Sequence, residues 1–228
     1  MASVPPDTTI KEYQKFIDEV YGIPNDRQFT VWDMLINIQR FIMRGLKGIR
    51  KKDSEKTKFN LLISLSWLMS LMNQLHIDLE EQVWKRFPYL CSYCGMCPCV
   101  CKEKKIKRRK RNIGGWKKRP RSLEGFQMMF NKIYPAEKRT LEHAGIHLGE
   151  EIGEFSEAVL ASRGNRNEKD LDNIAQEAAD LFSCFAGVFN SLDINIAKEL
   201  SVMFSHNCHI CKKIPCQCSF KDIINFKS

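Results

Sequence analysis

The chain has 228 residues, with 36 Lys and Arg against 27 Asp and Glu, a net charge of +9 and ten cysteines. That length buries one full core or two smaller ones. It holds no apolar run of the roughly 18 residues a membrane helix needs, and the start, MASVPPDTTIKEYQKF, lacks the basic and apolar stretches of a secretory signal. Together these exclude a helical membrane protein and point to a soluble, cytoplasmic chain without a membrane partner.

In chain order, apolar periodicity predicts helices over 10–21, 29–46, 56–75 and 79–87, then over 122–133, 137–162, 168–192 and 195–204. Breaks fall at YGIPND, IRKKDSE, RGNRNE and around Pro135, where turn residues cluster. No alternating strand pattern competes, so the expected fold class is all-α.

The positive charge sits in one stretch. Residues 102–121, KEKKIKRRKRNIGGWKKRPR, hold 12 Lys and Arg and one Glu, so the rest of the chain is slightly acidic. Such a run reads either as a solvated linker or as an arm for nucleic-acid phosphates, with Trp116 able to stack on a base or to pack back onto a domain.

Nine of the ten cysteines lie in two clusters, CSYCGMCPCVC from Cys91 and CHICKKIPCQC from Cys208, while Cys184 sits in the apolar LFSCFAGVF and reads as core. Both clusters share one frame, giving the quartets Cys91, Cys94, Cys99, Cys101 and Cys208, Cys211, Cys216, Cys218. In a chain without a secretory signal, such knuckles suit tetrahedral, structural zinc. The extra Cys97 allows a rival set, Cys91, Cys94, Cys97 and Cys101, with the spacing of an iron–sulfur run. Lys102 stands where that run usually has Pro, and the second cluster lacks the fifth cysteine, so zinc is preferred. His206 and His209 flank the second quartet and read as bystanders.

The segments before the clusters also correspond. LHIDLEEQVWKRFPYLC lies against LDINIAKELSVMFSHNC at the same offset, and FIDEVYGIP resembles MFNKIYPAE loosely. This predicts a tandem repeat of helical units, each closed by a cysteine knuckle: 1–101, a basic linker 102–121, and 122–228.

The second unit carries the chemistry. LGEEIGEFSEAVL, residues 148–160, has four carboxylates and no Lys or Arg. Glu151 and Glu154 stand three apart on one helix face, with His147 one turn earlier. The next helix, 174–190, contains only two charges, Glu177 and Asp180, again three apart. Acids on so apolar a helix need a counter-charge, because unpaired buried carboxylates cost several kcal/mol. If the two helices pack as a hairpin, four carboxylates meet, and hard divalent cations, magnesium or manganese, suit an all-oxygen ligand set.

These residues, EEIGE followed by EAAD, resemble the signature of the MazG-like all-α nucleoside triphosphate pyrophosphohydrolases, over about 122–205. The resemblance implies hydrolysis of a (deoxy)nucleoside triphosphate to monophosphate and pyrophosphate, with magnesium held by Glu151, Glu154, Glu177 and Asp180. Glu150 or Glu151 would orient or deprotonate the attacking water. Phe126, Phe130, His143 and His147 are candidates to line the substrate pocket. Family members pair subunits into bundles, so a homo-oligomer is a candidate assembly. The first unit has no acid between 28 and 51 except Asp33, and none over 57–76. It reads as a degenerate, non-catalytic copy that supplies packing, with Trp67 in its core. A ferritin-like di-metal oxidase is excluded by the lack of paired Glu-x-x-His motifs. The competing function is a nucleotide-sensing or nucleic-acid-binding zinc protein without turnover.

Overall fold

A computed structural model describes residues 1–104, 118–164 and 167–224. Most of the basic stretch, 105–117 with Trp116, lies outside them, so the reading of that arm has no structural counterpart. Among the described residues every regular element is helical, and no helix is long and apolar enough to cross a membrane.

The chain divides into two compact units that do not coincide with the boundaries expected at 101 and 122. Unit 1 comprises Met1–Leu79 with Ile196–Ser228, and unit 2 comprises Glu80–Asn195. Each cysteine knuckle therefore belongs with the helices of the other sequence half.

Unit 1 contains α1 (Ile10–Ile17), a π-helical turn (Asp18–Gly22), α2 (Ile23–Gln28), α3 (Val31–Arg50), α4 (Ser54–Gln74), and later α10 (Ile196–Met203) and α11 (Phe220–Ile224). Thr9 and Thr30 start α1 and α3 with reciprocal caps to Glu12 and Asp33, which satisfy donors a helix start leaves open. Pro24 does not break the chain where the sequence suggested. It lies in the first turn of α2, where a missing N–H costs nothing.

Unit 2 contains all but the first residue of α5 (Leu79–Arg86), then α6 (Cys101–Lys104), α7 (Leu123–Ile133), a 3-10 turn (Ala136–Lys138), α8 (Leu141–Ala161) and α9 (Glu168–Ser191). Ser122, Thr140 and Asn167 cap α7, α8 and α9. The packing expected of the two acid-bearing helices forms, with α8 against α9.

The two units bury the same positions. On α1 these are Ile10, Tyr13, Gln14, Phe16 and Ile17, and on α7 Leu123, Phe126, Gln127, Met129 and Phe130. On α3 and α8 the series Met34, Leu35, Ile38, Ile42, Gly45, Gly48, Ile49 matches Ala144, Gly145, Leu148, Ile152, Phe155, Ala158, Val159. Volume is exchanged within the match: a side chain at Gly45 would collide with Leu61, whereas the positions that match these two hold the larger Phe155 and the smaller Ala178, both buried.

A buried glutamine clasp recurs as well. Gln14 Nε2 donates to Asn73 Oδ1 (2.9 Å) and to the Ile77 carbonyl (2.8 Å), and Asn73 Nδ2 returns a bond to the Gln14 carbonyl (3.0 Å). Gln127, Asn190 and Ile194 make the same three bonds at 3.0, 2.7 and 3.1 Å. Satisfied buried amides of this kind fix register, because any shift strands a polar group.

Candidate functional site

In unit 2, α8 and α9 bring Glu151, Glu177 and Asp180 together, with a carboxylate oxygen from each lying within 4.8 Å of the others. Asp180 is buried and the two glutamates are half-buried. Glu151 takes the buried position that Phe41 fills in unit 1, while Glu177 and Asp180 match Asn60 and Ile63. Burial, joined by the charges of Asp180, Glu154 and Glu177, raises the Glu151 pKa to about 8 against the pull of Arg86. Its Oε2 is buried and meets no hydrogen-bond donor.

The sequence reading placed no cation near these acids, yet Arg86 at the end of α5 is there. Its Nε donates to Asp180 Oδ1 at 3.0 Å, its Nη2 pairs with Asp180 Oδ2, and its Nη1 reaches Gln176 Oε1 at 3.0 Å. Burial works against the Arg86 charge, but the bond to Asp180 and the charges of Asp180, Glu177 and Glu151 outweigh it, so its pKa is raised. Reading α5 as part of the first unit hid this residue. The remaining signal was only its position just before a knuckle.

Of the other expected residues, Glu154 is exposed and stands outside the group of three, although its charge is felt at Glu151. Glu150 is exposed and pairs with His147 Nδ1 at 3.2 Å. His143 and His147 meet edge to face on the half-exposed side of α8, 4.6 Å apart. Phe126 and Phe130 do not line an open pocket, contrary to expectation. Both are sealed in the core, where Phe130 packs against Phe87 at 5.1 Å and Phe182 at 6.2 Å, because five periodic apolar positions of α7 face inward.

Arg139 was also missed. Its Nε and Nη2 are buried without a hydrogen-bond acceptor, and its guanidinium lies so close to Gly187 that any side chain there would strike it. Burial lowers the Arg139 pKa. Cys184, expected as core, is half-buried on the same helix, and burial together with the Glu151 charge raises its thiol pKa.

Both cysteine quartets assemble. Cys91, Cys94, Cys99 and Cys101 form one group and Cys208, Cys211, Cys216 and Cys218 the other, each with sulfurs within 4.8 Å. Sγ separations of 3.8 and 3.9 Å in the first quartet and 3.7, 3.9 and 3.5 Å in the second fit the ~3.8 Å edge of a tetrahedron with 2.3 Å metal–sulfur bonds. Cys97 stands apart, its Sγ turned to the Lys132 carbonyl at 3.4 Å. The assembled set is therefore the four-cysteine frame shared by both clusters. Cys208 and Cys216 share a hydrogen bond that lowers the first thiol's pKa and raises the second's.

Each knuckle is fastened in the same way to its unit. The Cys216 amide donates to the Val20 carbonyl (2.7 Å) and the Cys99 amide to the Ile133 carbonyl (2.8 Å). The adjacent Tyr21 and Tyr134 hydrogen-bond Cys208 and Cys91, and burial first, then those thiols, raise both phenol pKa values. His209 Nδ1 lies 3.2 Å from the Tyr21 hydroxyl, outside the quartet.

Comparison with protein-family models, curated proteins and solved structures found no match. The resemblance drawn above rests on sequence motifs alone.

Proposed function

We propose that unit 2 is a magnesium-dependent nucleoside triphosphate pyrophosphohydrolase and that each cysteine quartet holds structural zinc. The observation that carries the first part is the grouping of Glu151, Glu177 and Asp180 on facing helices. Three carboxylates with one guanidinium leave two negative charges if all are ionised, which a single divalent cation balances. Hard oxygen donors and an orphaned, buried Glu151 oxygen fit magnesium or manganese. Bound there, the ion would grip phosphate oxygens and acidify a water.

The chain's own residues do the rest. Arg86 holds the Asp180 carboxylate in one orientation through two parallel bonds. Glu154, exposed one turn from Glu151, is free to swing toward a bound ion. Glu150, or Glu151 where it is not engaged, takes the proton of the attacking water.

The test is magnesium-dependent release of monophosphate and pyrophosphate from a panel of nucleoside triphosphates. Glu151→Gln and Asp180→Asn should each lower turnover by roughly 100-fold or more with helical content unchanged. Turnover indifferent to both substitutions overturns the assignment. The Arg86–Asp180 pair itself favours a second reading, a nucleotide-sensing zinc protein in which the pair is a finished counter-charge. Absence of product with every triphosphate, alongside measurable nucleotide binding, selects that reading.

A further inference from the structure

Arg139 carries a charge that its surroundings in unit 2 do not answer. The residue is half-buried just ahead of Thr140, the cap of α8. Two of its nitrogens, Nε and Nη2, are sealed from solvent and meet no acceptor, which leaves Nη1 at the surface. The ionisable groups that would favour its charge are the Cys184 thiol and the Tyr134 phenol, and burial keeps both protonated by raising their pKa values. A guanidinium stays charged regardless, and a buried charge without a partner is among the costliest states of a side chain.

Unit 1 avoids that cost at the matched place. Phe29 stands where Arg139 does, ahead of the capping Thr30, while Trp67 matches Cys184 and Ser70 matches Gly187. Phe29 packs edge to face on Trp67 with ring centroids 5.2 Å apart. In unit 2 both large aromatics are gone and the guanidinium lies on bare backbone, for a Cβ at Gly187 would come 2.7 Å from Nη2 and 3.0 Å from Nη1. Exchanging an aromatic pair for an unpaired charge weakens a core. Such a breach of packing rules is the mark of a site.

Its position identifies the missing counter-ion. On α9, Asp180, Cys184 and Gly187 follow one another at steps of four and three residues, so they share a face. Cys184 feels the charges of Glu151 and Asp180 and also that of Arg139, and His147 on α8 feels Arg139 as well. Acid cluster and guanidinium therefore lie on one seam, roughly 10 Å apart along the helix. A lone chloride or carboxylate would answer the arginine only. A chain of linked phosphates also reaches toward an ion held by the acids, and its oxygens match the guanidinium fork.

We infer that Arg139 binds the terminal phosphate of the nucleoside triphosphate, and so selects for polyphosphate over monophosphate ligands. The identity of the ligand rests on the function proposed for the acid cluster, whereas the anion site itself rests on Arg139.

The probe is inorganic pyrophosphate, titrated calorimetrically into the full chain with and without magnesium, beside urea unfolding. The parent should bind it, and Arg139→Gln should bind about tenfold or more weakly in both buffers. Asp180→Asn should remove only the affinity that magnesium adds. Without ligand, Arg139→Gln should unfold at the urea midpoint of the parent or above it, because an unanswered charge is gone, and pyrophosphate should raise the midpoint of the parent alone. Arg139→Met, apolar and of similar length, should repeat both results if glutamine disturbs the fold. No binding by the parent, equal affinity in parent and variants, a lower midpoint in both ligand-free variants, or the same stabilisation from sodium chloride at equal ionic strength overturns the proposal. A parent that binds pyrophosphate through Arg139 yet releases no product from any triphosphate upholds the anion site and overturns hydrolysis.

Discussion

Units 1 and 2 share caps, buried periodicity and a glutamine clasp, yet at three matched positions one carries Phe41, Asn60 and Ile63 and the other Glu151, Glu177 and Asp180. A fourth difference follows the same line, because Arg86 of α5 is matched by Met203 of α10. The frame and the site are therefore specified separately. Apolar spacing and satisfied amides determine the bundle, and a few side chains on its inner wall determine whether that wall offers charge or rings. Where the acids disappear, their cationic partner disappears too, as expected if an unpaired buried charge is the costliest state of all.

The largest expected effect tests which knuckle closes which unit. Replacing Cys208 and Cys211 by serine should loosen unit 1, because that knuckle is tied to Val20, Tyr21 and the Ala2 carbonyl. Replacing Cys91 and Cys94 should loosen unit 2 through Ile133 and Tyr134. Losses of several kcal/mol are expected, toward the ~10 kcal/mol that structural zinc supplies to small domains. Hydrogen exchange read by mass spectrometry should show faster exchange in α1, α3 and α4 for the first variant and in α7, α8 and α9 for the second. The opposite assignment, following sequence halves, would break the comparison.

The next effect moves the charge pair between units. Arg86→Met alone leaves Asp180 without its guanidinium and should cost about 3–5 kcal/mol in urea unfolding, whereas Arg86→Met/Asp180→Ile, the identities found at Met203 and Ile63, should recover most of that loss. A double variant as unstable as the single one would show that the wall of unit 2 is not the apolar wall of unit 1 with charges added.

Much of this was legible in the sequence, and what was not has a physical reason. The long helices α3, α4, α8 and α9 announce themselves by period and caps, and both cysteine quartets by spacing. Glu151, Glu177 and Asp180 were findable because charges are scarce on α9. The reach of α5 and its Arg86 was not, since periodicity reports that a helix buries a face and is silent on which of two similar partners receives it. Phe126 and Phe130 were misplaced for a related reason: an aromatic residue lining a pocket and one sealing a core have the same spacing, and only packing distinguishes them. Pro24 was read as a stop because the π-helical turn before it, which carries α1 toward α2, has no signature in residue type.

The smallest effect is a pH dependence confined to the unit with the acids. Glu151 has its folded pKa raised to about 8 from an ordinary 4.5, so between those values the folded chain holds a proton that the unfolded chain has lost. Stability then falls as pH climbs through that window, being fullest below about 4.5 and exhausted of this contribution above about 8. The groups facing Glu151 are Asp180, Glu154 and Glu177, which produce the penalty along with burial, and Arg86, which opposes it. Glu151→Gln removes the titrating charge and should be more stable than the parent at pH 8.5 but not at pH 5, by roughly 1–2 kcal/mol once partial exposure is allowed for. Phe41→Gln at the matched position of unit 1 should destabilise equally at both pH values, since among the described residues no acid cluster lies around it. Magnesium added at pH 8.5 should stabilise the parent and not Glu151→Gln, because an ion that binds only the folded, ionised cluster shifts unfolding by mass action. A parent whose stability is flat from pH 5 to 8.5 and indifferent to magnesium would mean that Arg86 already balances the cluster, and the wall of unit 2 would then be charged but as inert as that of unit 1.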